Sequence, residues 1–111
     1  MSIVIGVDGG ATRTRGLLCD LEGHVLAEAQ GEATNYHHIG VQTTAERLEN
    51  LCSNLVHQID RTLVVAAAMC FGLAGVGRSA DRDTVFAELR RRFAEATLML
   101  TTDADLSLIH I

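Results

Sequence analysis

The segment from Leu63 to Leu73 is apolar at almost every position, and it constrains the fold more than any other feature of the chain. An unbroken apolar run of this length is typical of a strand that is covered on both faces, as in a parallel sheet. Parallel neighbours need long connections, which are usually helices. The segment therefore predicts an α/β domain in which helices cover a sheet.

Three shorter segments precede this run and favour an antiparallel start to the sheet. Their predicted bounds are Ile3–Val7, Thr14–Cys19 and His24–Ala29. The last two are separated by the turn Asp20–Gly23, whose glycine suits a positive φ, and they are predicted to form a hairpin. The next stretch, Gly31–Gly40, shows no periodicity and is predicted to be a loop.

Two amphipathic helices are predicted, one on each side of the long apolar strand. Thr43 and Glu46 have capping-box spacing at the start of the first helix, and Ser79 or Asp81 is predicted to cap the second. Thr97–Leu100 is predicted to be a further strand. The apolar faces of the two helices consist of Leu48, Leu51, Cys52, Leu55, Val56 and Ile59, and of Val85, Phe86, Leu89 and Phe93.

These segments follow one another in the order β-β-β-α-β-α-β, which indicates a mixed sheet with helices on its faces. With 111 residues, the chain is predicted to form one small domain. No internal repeat, low-complexity segment or linker divides the sequence.

The composition excludes several kinds of chemistry. All nine basic residues are arginine, so the chain lacks the lysine of a P-loop, of a Schiff-base enzyme and of a protein kinase. The net charge of −5 argues against nucleic-acid binding, and the one basic cluster, Arg90–Arg92, is predicted to be a solvated helical turn. The abundance of alanine and arginine suggests a GC-rich bacterial coding sequence.

The sequence also lacks the features of membrane and secreted proteins. No apolar run reaches the roughly 18 residues that a membrane span needs, and the N-terminus does not have the pattern of a signal peptide. We therefore expect a cytoplasmic protein without a membrane partner. In a reducing compartment, Cys19, Cys52 and Cys70 are predicted to be small buried hydrophobic residues.

The last six residues, Leu106–Ile111, look like the translation of a transposon-end adapter used in sequencing libraries. We interpret them as a cloning or assembly scar. On this interpretation residues 1–105 are the N-terminal lobe of a longer protein. The alternative is a natural apolar strand or the start of a helix.

The strongest local signal for a functional site is the segment Asp8–Thr14. An acidic residue ends a predicted strand, and Gly9 and Gly10 allow a tight turn and close approach of the backbone. Such a turn can direct N–H groups at phosphate oxygens, with Thr12 adding a hydroxyl, and Asp8 can hold Mg²⁺ directly or through water. The alternative is an ordinary Gly-Gly hairpin turn.

Asp103 is a second candidate, because it follows the last predicted strand. Ligands bind at the carboxyl ends of strands in open α/β sheets, and Asp8 also lies at such an end. If the two strands are parallel neighbours, both carboxylates face one crevice. One could then position Mg²⁺ while the other accepts a proton from an attacking hydroxyl. The alternative is that Asp103 caps the next helix.

Two further segments carry weaker signals. Asn35 in the long loop can form directional hydrogen bonds to a polyol or an amide, whereas His37 and His38 have poor metal geometry and are interpreted as a surface pair. Gly75–Ala80 fits the G-x-G-x-x-A pattern of a dinucleotide site. We disfavour that interpretation, because three strands and a helix precede the segment and no acidic residue follows at the right distance.

Together these segments resemble the sugar-kinase/actin/heat-shock-protein ATPase superfamily, and within it the N-acetylglucosamine kinases and the BadF/BadG/BcrA/BcrD-type ATPases. The resemblance covers Ile3 to about Asp105 and has the family's order and approximate spacing. It rests on Gly6–Thr14, Asn35 with Gly40, Gly72–Gly75 and Thr102–Ala104. Ala11 stands where a third glycine is usual, and the family's second phosphate loop and adenosine site should follow Asp105.

The resemblance implies a ribonuclease H-like (actin-like ATPase) first lobe of a two-lobed enzyme, with ATP and sugar bound in the cleft between the lobes. It implies an ATP-phosphate loop that consists of Asp8, Gly9, Gly10, Thr12 and Arg13. Asp8 would lie near Mg²⁺, and Asn35 and Gly75 would contact the amino sugar. Asp103 would hold the sugar 6-hydroxyl and act as the catalytic base.

The whole protein is then expected to be an ATP-dependent amino-sugar kinase that makes a sugar 6-phosphate. The 111-residue chain alone is expected to be inactive, because positioning by both lobes drives phosphoryl transfer. Its expected partners are the small sugar and its own C-terminal lobe, with a homodimer left open. The alternatives are an ATPase that activates a [4Fe–4S] CoA-ester dehydratase or reductase, and a non-catalytic ATP-binding module. Asn35 favours a sugar.

Overall fold

A computed structural model describes residues 2–10, 12–59, 65–94 and 96–101 of the chain. The strands in these ranges are β1 (Ser2–Gly9), β2 (Arg13–Asp20), β3 (Val25–Glu32), β4 (Val65–Leu73) and β5 (Thr97–Thr101). The helices are α1 (Tyr36–Ile39), α2 (Val41–His57) and α3 (Ser79–Arg92). The predicted order is confirmed, with one added short helix, α1, in the segment predicted to be a loop. None of these helices is long and apolar enough to cross a membrane.

The five strands form one mixed sheet in the order β3-β2-β1-β4-β5. β2 pairs antiparallel with both β1 and β3, while β4 runs parallel to both β1 and β5. The predicted hairpin turn at Asp20–Gly23 is confirmed, and Gly23 has a φ of +89°. The α/β class with a mixed sheet is therefore confirmed.

Both long helices pack on the same face of the sheet. Burial alternates along β1, so Ile5 and Val7 point towards the helices while Asp8 points to the opposite face. The core lies between the first face and the helices. Its largest fully buried side chains include Phe71, Ile3, Ile5, Leu18, Leu48, Leu55, Leu73 and Leu89.

The opposite face of the sheet carries a second, smaller apolar cluster, in which Leu17 and Cys19 pack with Val4 and Cys70. We expected β4 to be covered on both of its faces, but the helices in the described ranges cover only the first face. The apolar character of β4 also reflects its central place in the sheet, where β1 and β5 flank it.

Both long helices begin at positions that differ from the predicted caps. α2 starts at Val41 after Gly40, whose φ is +84° and whose backbone also ends α1. Thr43 therefore lies inside α2, and the predicted capping box does not mark its start. α3 follows Arg78, and no side chain caps it. The carboxylate of Asp81 is used elsewhere, because it accepts a hydrogen bond from the Tyr36 hydroxyl.

The predicted apolar face of α2 is confirmed, and so is the predicted burial of Cys19 and Cys52, whereas Cys70 is only partly buried. Leu48, Leu51, Cys52 and Leu55 are buried, and Val56 and Ile59 pack against the core. The three cysteines are free thiols. Burial raises the pKa of Cys52 to about 12 and also raises the pKa values of Cys19 and Cys70. A thiol with a raised pKa is a poor nucleophile at neutral pH.

The arginine cluster of α3 is only partly the solvated turn that was predicted. Arg90 and Arg91 are exposed. Arg92 is more enclosed, and its guanidinium binds Glu88 at 2.9 Å and Glu49 of α2 at 3.3 Å. The hydrogen bonds from Arg91 and Arg92 lower the pKa of Glu88 to about 2. Arg92 therefore joins the two long helices.

Candidate functional site

The carboxyl ends of β1, β4 and β5 meet at one edge of the sheet because these strands are parallel. In the register of the sheet, Asp8 lies beside Gly72, and Gly72 lies beside Thr101. Residues in such a row share one face, which here is the face opposite α2 and α3. The Cα atoms of Asp8 and Thr101 are therefore two strand spacings, about 10 Å, apart. Only a glycine lies between them.

Asp103 itself lies outside the described residues, two positions beyond the end of β5. A crevice shared with Asp8 is predicted only if the strand before Asp103 is a parallel neighbour of β1. This condition is not met, since β4 lies between β1 and β5. Both strands nevertheless end at the same edge, so the chain leaves β5 on the side of the sheet where Asp8 lies.

Asp8 is the acidic residue of this edge. It is half-buried near the end of β1, and Arg15 of β2 lies opposite it in the sheet register. The guanidinium of Arg15 pairs with Glu28 of β3 at 3.5 Å. Within the described ranges, no residue forms a hydrogen bond or ion pair with the Asp8 carboxylate. As far as these ranges extend, its oxygens are available to a cation or a polar ligand.

The turn between β1 and β2 is closed by its own backbone. The Gly10 N–H donates to the Arg13 carbonyl at 2.9 Å, so this group is not free for a phosphate oxygen. Thr12 and Arg13 are exposed beside it and offer a hydroxyl and a guanidinium. Ala11, the departure from the family pattern, lies outside the described residues. Among the described residues of this turn, Thr12 and Arg13 are therefore open to a ligand, whereas the Gly10 N–H is not.

Gly9, predicted to bind phosphate, is required by packing. A Cβ added to Gly9 would overlap Thr34 Oγ1 and would lie 2.6 Å from Leu73 Cδ2. Both neighbours are almost completely buried. Any larger residue would therefore push apart the end of β4 and the segment that follows β3.

Thr14 and Thr34, which have no predicted role, join the start of β2 to the segment that follows β3. Thr14 Oγ1 donates to the Glu32 carbonyl at 2.7 Å, and its 2.8 Å hydrogen bond to Thr34 Oγ1 is buried. Since a hydroxyl has one proton, Thr34 is the donor in the second bond. The Thr34 N–H also donates to the Gly10 carbonyl at 3.3 Å. Thr14 ends the predicted Asp8–Thr14 segment but has no predicted role in it, and Thr34 looks like any other loop threonine.

Asn35 and Gly75, the two residues predicted to contact the sugar, lie against each other. Gly75 has a φ of +89°, and a Cβ added there would lie 2.5 Å from Asn35 Oδ1. Asn35 caps α1, since its Oδ1 accepts from the His37 N–H at 3.1 Å. No described residue accepts a hydrogen bond from its Nδ2 group, which leaves this group able to donate to a ligand.

The Asn35 and Gly75 segments both attach to the end of β1. The Thr34 N–H donates to the Gly10 carbonyl, and the Ala74 N–H donates to the Gly9 carbonyl at 2.8 Å. Asn35 and Gly75 are the next residues along the chain after these two bonds. The structure therefore brings three of the predicted segments to one edge of the sheet. They are the turn between β1 and β2, which we call the first turn, the Asn35 loop and the Gly75 turn.

Three side chains outside our predicted set link α1 to α3. Asp81 of α3 accepts a hydrogen bond from the Tyr36 hydroxyl, which raises the pKa of Tyr36. His37 Nε2 lies 3.5 Å from Asp81 Oδ2 and 2.9 Å from the Gly75 carbonyl oxygen. His37 and His38 are both exposed, as predicted for a surface pair, but His37 also has these two partners.

The comparisons with known proteins agree with the resemblance seen in the sequence. A model of the BadF/BadG/BcrA/BcrD ATPase family matches residues 5–106. The chain belongs to this family. The match includes the first turn, the Asn35 loop, the Gly75 turn and Asp103.

Two curated relatives of this family member are sugar kinases by name. An N-acetyl-D-glucosamine kinase of Dictyostelium discoideum is 28% identical over 87 residues, which cover 72% of this chain and 27% of the relative. An N-acetylmuramic acid/N-acetylglucosamine kinase of Clostridium acetobutylicum is 25% identical over 108 residues, which cover 97% of this chain and 35% of the relative. The chain thus spans about a third of the length of these relatives.

Solved structures share the fold. A candidate N-acetylglucosamine kinase from Chromobacterium violaceum has a TM-score of 0.64 and 28% identity, over 88% of this chain and 34% of that chain. An inorganic polyphosphate/ATP-glucomannokinase from an Arthrobacter strain has a TM-score of 0.63 and 20% identity, over 95% of this chain and 46% of that chain. The predicted actin-like ATPase lobe is confirmed.

Other clefts and acidic groups of this BadF-type lobe lie away from the first turn. A cleft of about 280 Å³ between β3 and α2 is lined by residues that include Arg47, Asn50 and Asn54. The ligand atoms of Asp20, Glu22 and His24 lie within 4.8 Å of one another. This group lies at the far end of β2 from Asp8, and neither feature contains a predicted site residue.

Proposed function

We propose that the full-length protein is an ATP-dependent amino-sugar kinase that transfers the γ-phosphoryl group to the 6-hydroxyl of N-acetylglucosamine or glucosamine. The observation that carries the proposal is the junction at the end of β1, where the Asp8 turn, the Asn35 loop and the Gly75 turn meet. The names of the two curated relatives give the substrate class. ATP, Mg²⁺ and a cytoplasmic location belong to the same proposal.

The first turn fits the phosphate end of Mg²⁺-ATP in its donor chemistry. Mg²⁺ prefers oxygen ligands and is often held through one carboxylate and several waters. Asp8 would supply that carboxylate, Thr12 a hydroxyl and Arg13 a charge-assisted donor to phosphate oxygens. When bound, Mg²⁺ neutralises charge on the phosphates during transfer. The Gly10 N–H would not take part, because it already donates to the Arg13 carbonyl.

The Asn35 and Gly75 segments would hold the sugar beside these phosphates. The Asn35 Nδ2 group can donate to a sugar hydroxyl while Oδ1 remains bonded to the His37 N–H. The Gly75 turn would line the sugar site next to Asn35. A side chain at position 75 would occupy the space that the Asn35 amide needs.

Asp103 would act as the catalytic base. Its carboxylate would accept the proton of the sugar 6-hydroxyl as that oxygen bonds to the γ-phosphorus. The bond between the γ-phosphorus and the bridging oxygen then breaks, and ADP leaves with its electron pair. The chain alone would not complete this reaction, because the remaining two thirds of such a kinase would supply the second phosphate loop, the adenosine site and the rest of the sugar site.

The alternative functions make different demands on the chain. An ATPase that activates a [4Fe–4S] enzyme would need cluster cysteines. Those cysteines would lie downstream of this lobe, so Cys19, Cys52 and Cys70 do not decide between this function and the kinase. A non-catalytic module would bind ATP without turnover.

The test is ADP release by the full-length protein with Mg²⁺-ATP, in the presence and absence of N-acetylglucosamine or glucosamine. We expect sugar-dependent release, which Asp103→Asn lowers at least about a hundredfold. Asp83→Asn, at an exposed position of α3, is the matched control and should keep wild-type activity. Sugar-independent hydrolysis would favour the activating ATPase, and binding without turnover would favour the non-catalytic module.

A further inference from the structure

The contacts between α1 and α3 assign a role to Tyr36, His37 and Asp81, which we call the tether. We propose that the tether positions Asn35 for the amino sugar, so that His37 is a positioning residue of the sugar site. This inference rests on the proposed function. It adds a determinant of sugar affinity that lies outside the first turn.

Asp81 is the fixed point of the tether. It lies in the first turn of α3, and its side chain is 19% exposed, compared with 50% for His37. One of its oxygens accepts from the Tyr36 hydroxyl and the other faces His37 Nε2 at 3.5 Å. The rings of Tyr36 and His37 also contact each other, with centroids 4.3 Å apart. Two consecutive residues of α1 are thus held by one carboxylate.

The surroundings of His37 fix which ring nitrogen carries the proton. Nε2 lies 2.9 Å from the Gly75 carbonyl oxygen and 3.5 Å from Asp81 Oδ2. Both atoms are hydrogen-bond acceptors, so Nε2 must be the protonated nitrogen. His37 therefore acts as a donor at this position, and a glutamine, whose amide N–H₂ lies at a similar reach, can take over that role.

The tether acts on Asn35 through the backbone of His37. The His37 N–H orients the Asn35 amide by donating to Oδ1, while the His37 ring binds Gly75. α1 has only four residues, and a helix of one turn does not hold its shape without tertiary contacts. Removing the ring should therefore loosen Asn35 and the Gly75 turn together.

The experiment compares His37→Ala, His37→Gln and His38→Ala in the full-length protein. His38 is the matched control, because it is the exposed neighbour whose side chain has no partner within the described residues. We expect His37→Ala to raise the KM for the sugar about tenfold, as for a lost hydrogen bond. The kcat and the KM for ATP should stay within about twofold, and His37→Gln should restore most of the sugar affinity.

A second measurement does not depend on turnover. Amide hydrogen exchange over residues 35–40 should be faster in His37→Ala than in the wild type and unchanged in His38→Ala. If His37→Ala leaves both the sugar KM and this exchange unchanged, or lowers kcat as much as it raises KM, the tether is overturned while the kinase proposal stands. A wild-type protein without sugar-dependent turnover overturns the proposed function and the sugar role of the tether. Faster exchange would then show only that the contact holds α1.

Discussion

The two hairpin turns at opposite ends of β2 each have an aspartate at or near their start, but the two aspartates differ in their contacts. Asp20 begins the β2–β3 turn, and one of its oxygens accepts from the N–H groups of Glu22 and His24 at 2.9 and 3.0 Å. Its other oxygen faces the His24 ring. Asp8 precedes the β1–β2 turn, and no residue within the described ranges binds its carboxylate. An aspartate that serves its own turn is structural, whereas one left without a partner at a strand end is a candidate ligand.

The β1–β2 turn is also more tightly packed than the β2–β3 turn. Nothing lies within 4 Å of a Cβ added to Gly23 in the β2–β3 turn. Gly9, at the start of the other turn, packs against Thr34 and Leu73 from two other parts of the chain. The β1–β2 turn therefore packs against other parts of the fold, while the β2–β3 turn is an isolated surface turn.

The largest effect on stability should come from adding one methyl group to each turn. Gly9→Ala forces Thr34 and Leu73 apart and should lower the free energy of unfolding by about 3 kcal/mol. Gly23→Ala has open space and costs only the positive φ, about 1 kcal/mol. Urea denaturation of the two variants measures the difference. Equal losses would contradict the contrast between a packed and an isolated turn.

A smaller effect is expected at the threonines that fasten the first turn. Thr34→Val removes the donor to Thr14 from a buried pair and should lower the free energy of unfolding by about 1.5 kcal/mol. Thr44→Val is the matched control, because Thr44 is equally buried but its hydroxyl has no hydrogen-bond partner in the described part of the chain. Its loss should be near zero, as urea denaturation can show. Equal destabilisation of both variants would mean that the Thr34 hydrogen bond does not hold the turn.

The smallest effect concerns the pH dependence of the β2–β3 turn. The backbone hydrogen bond from His24 is the main cause that lowers the pKa of Asp20 below its ordinary value of 3.8. A carboxyl group whose pKa is lower in the folded state stabilises the fold above its unfolded pKa, and this contribution is lost as the pH falls. Thermal midpoints at pH 5 and pH 3 should therefore differ less in Asp20→Asn than in the wild type. An identical pH dependence would remove this role for Asp20.

Much of the fold could be predicted because buried residues form recognisable apolar patterns in the sequence. The apolar run of β1 and the helical spacing of Leu48, Leu51 and Leu55 mark elements that contribute to the core. The caps were predicted less well. Asn35 begins a short helix that ends at Gly40, so α2 starts before the Thr43 and Glu46 pair that suggested a cap.

The candidate site was predictable only where its residues lie close together in the sequence. Asp8, Gly9, Gly10 and Thr12 form one short segment, and their place at a strand end is confirmed. The placement of β4 between β1 and β5 is a property of the whole sheet, which no local pattern encodes. The contact between Tyr36 and Asp81 joins residues 45 positions apart, and neither residue has a distinctive local pattern.

The most direct test of the phosphate site at the β1–β2 turn compares the two aspartates. Asp8→Asn and Asp20→Asn would be assayed in the full-length protein for sugar-dependent ADP release while Mg²⁺ is titrated. We expect Asp8→Asn to lower kcat about a hundredfold and to raise the Mg²⁺ requirement, whereas Asp20→Asn should stay within about twofold of the wild type. Wild-type turnover and an unchanged Mg²⁺ requirement in Asp8→Asn, or equal losses in both variants, would contradict the claim that the first turn is the phosphate site.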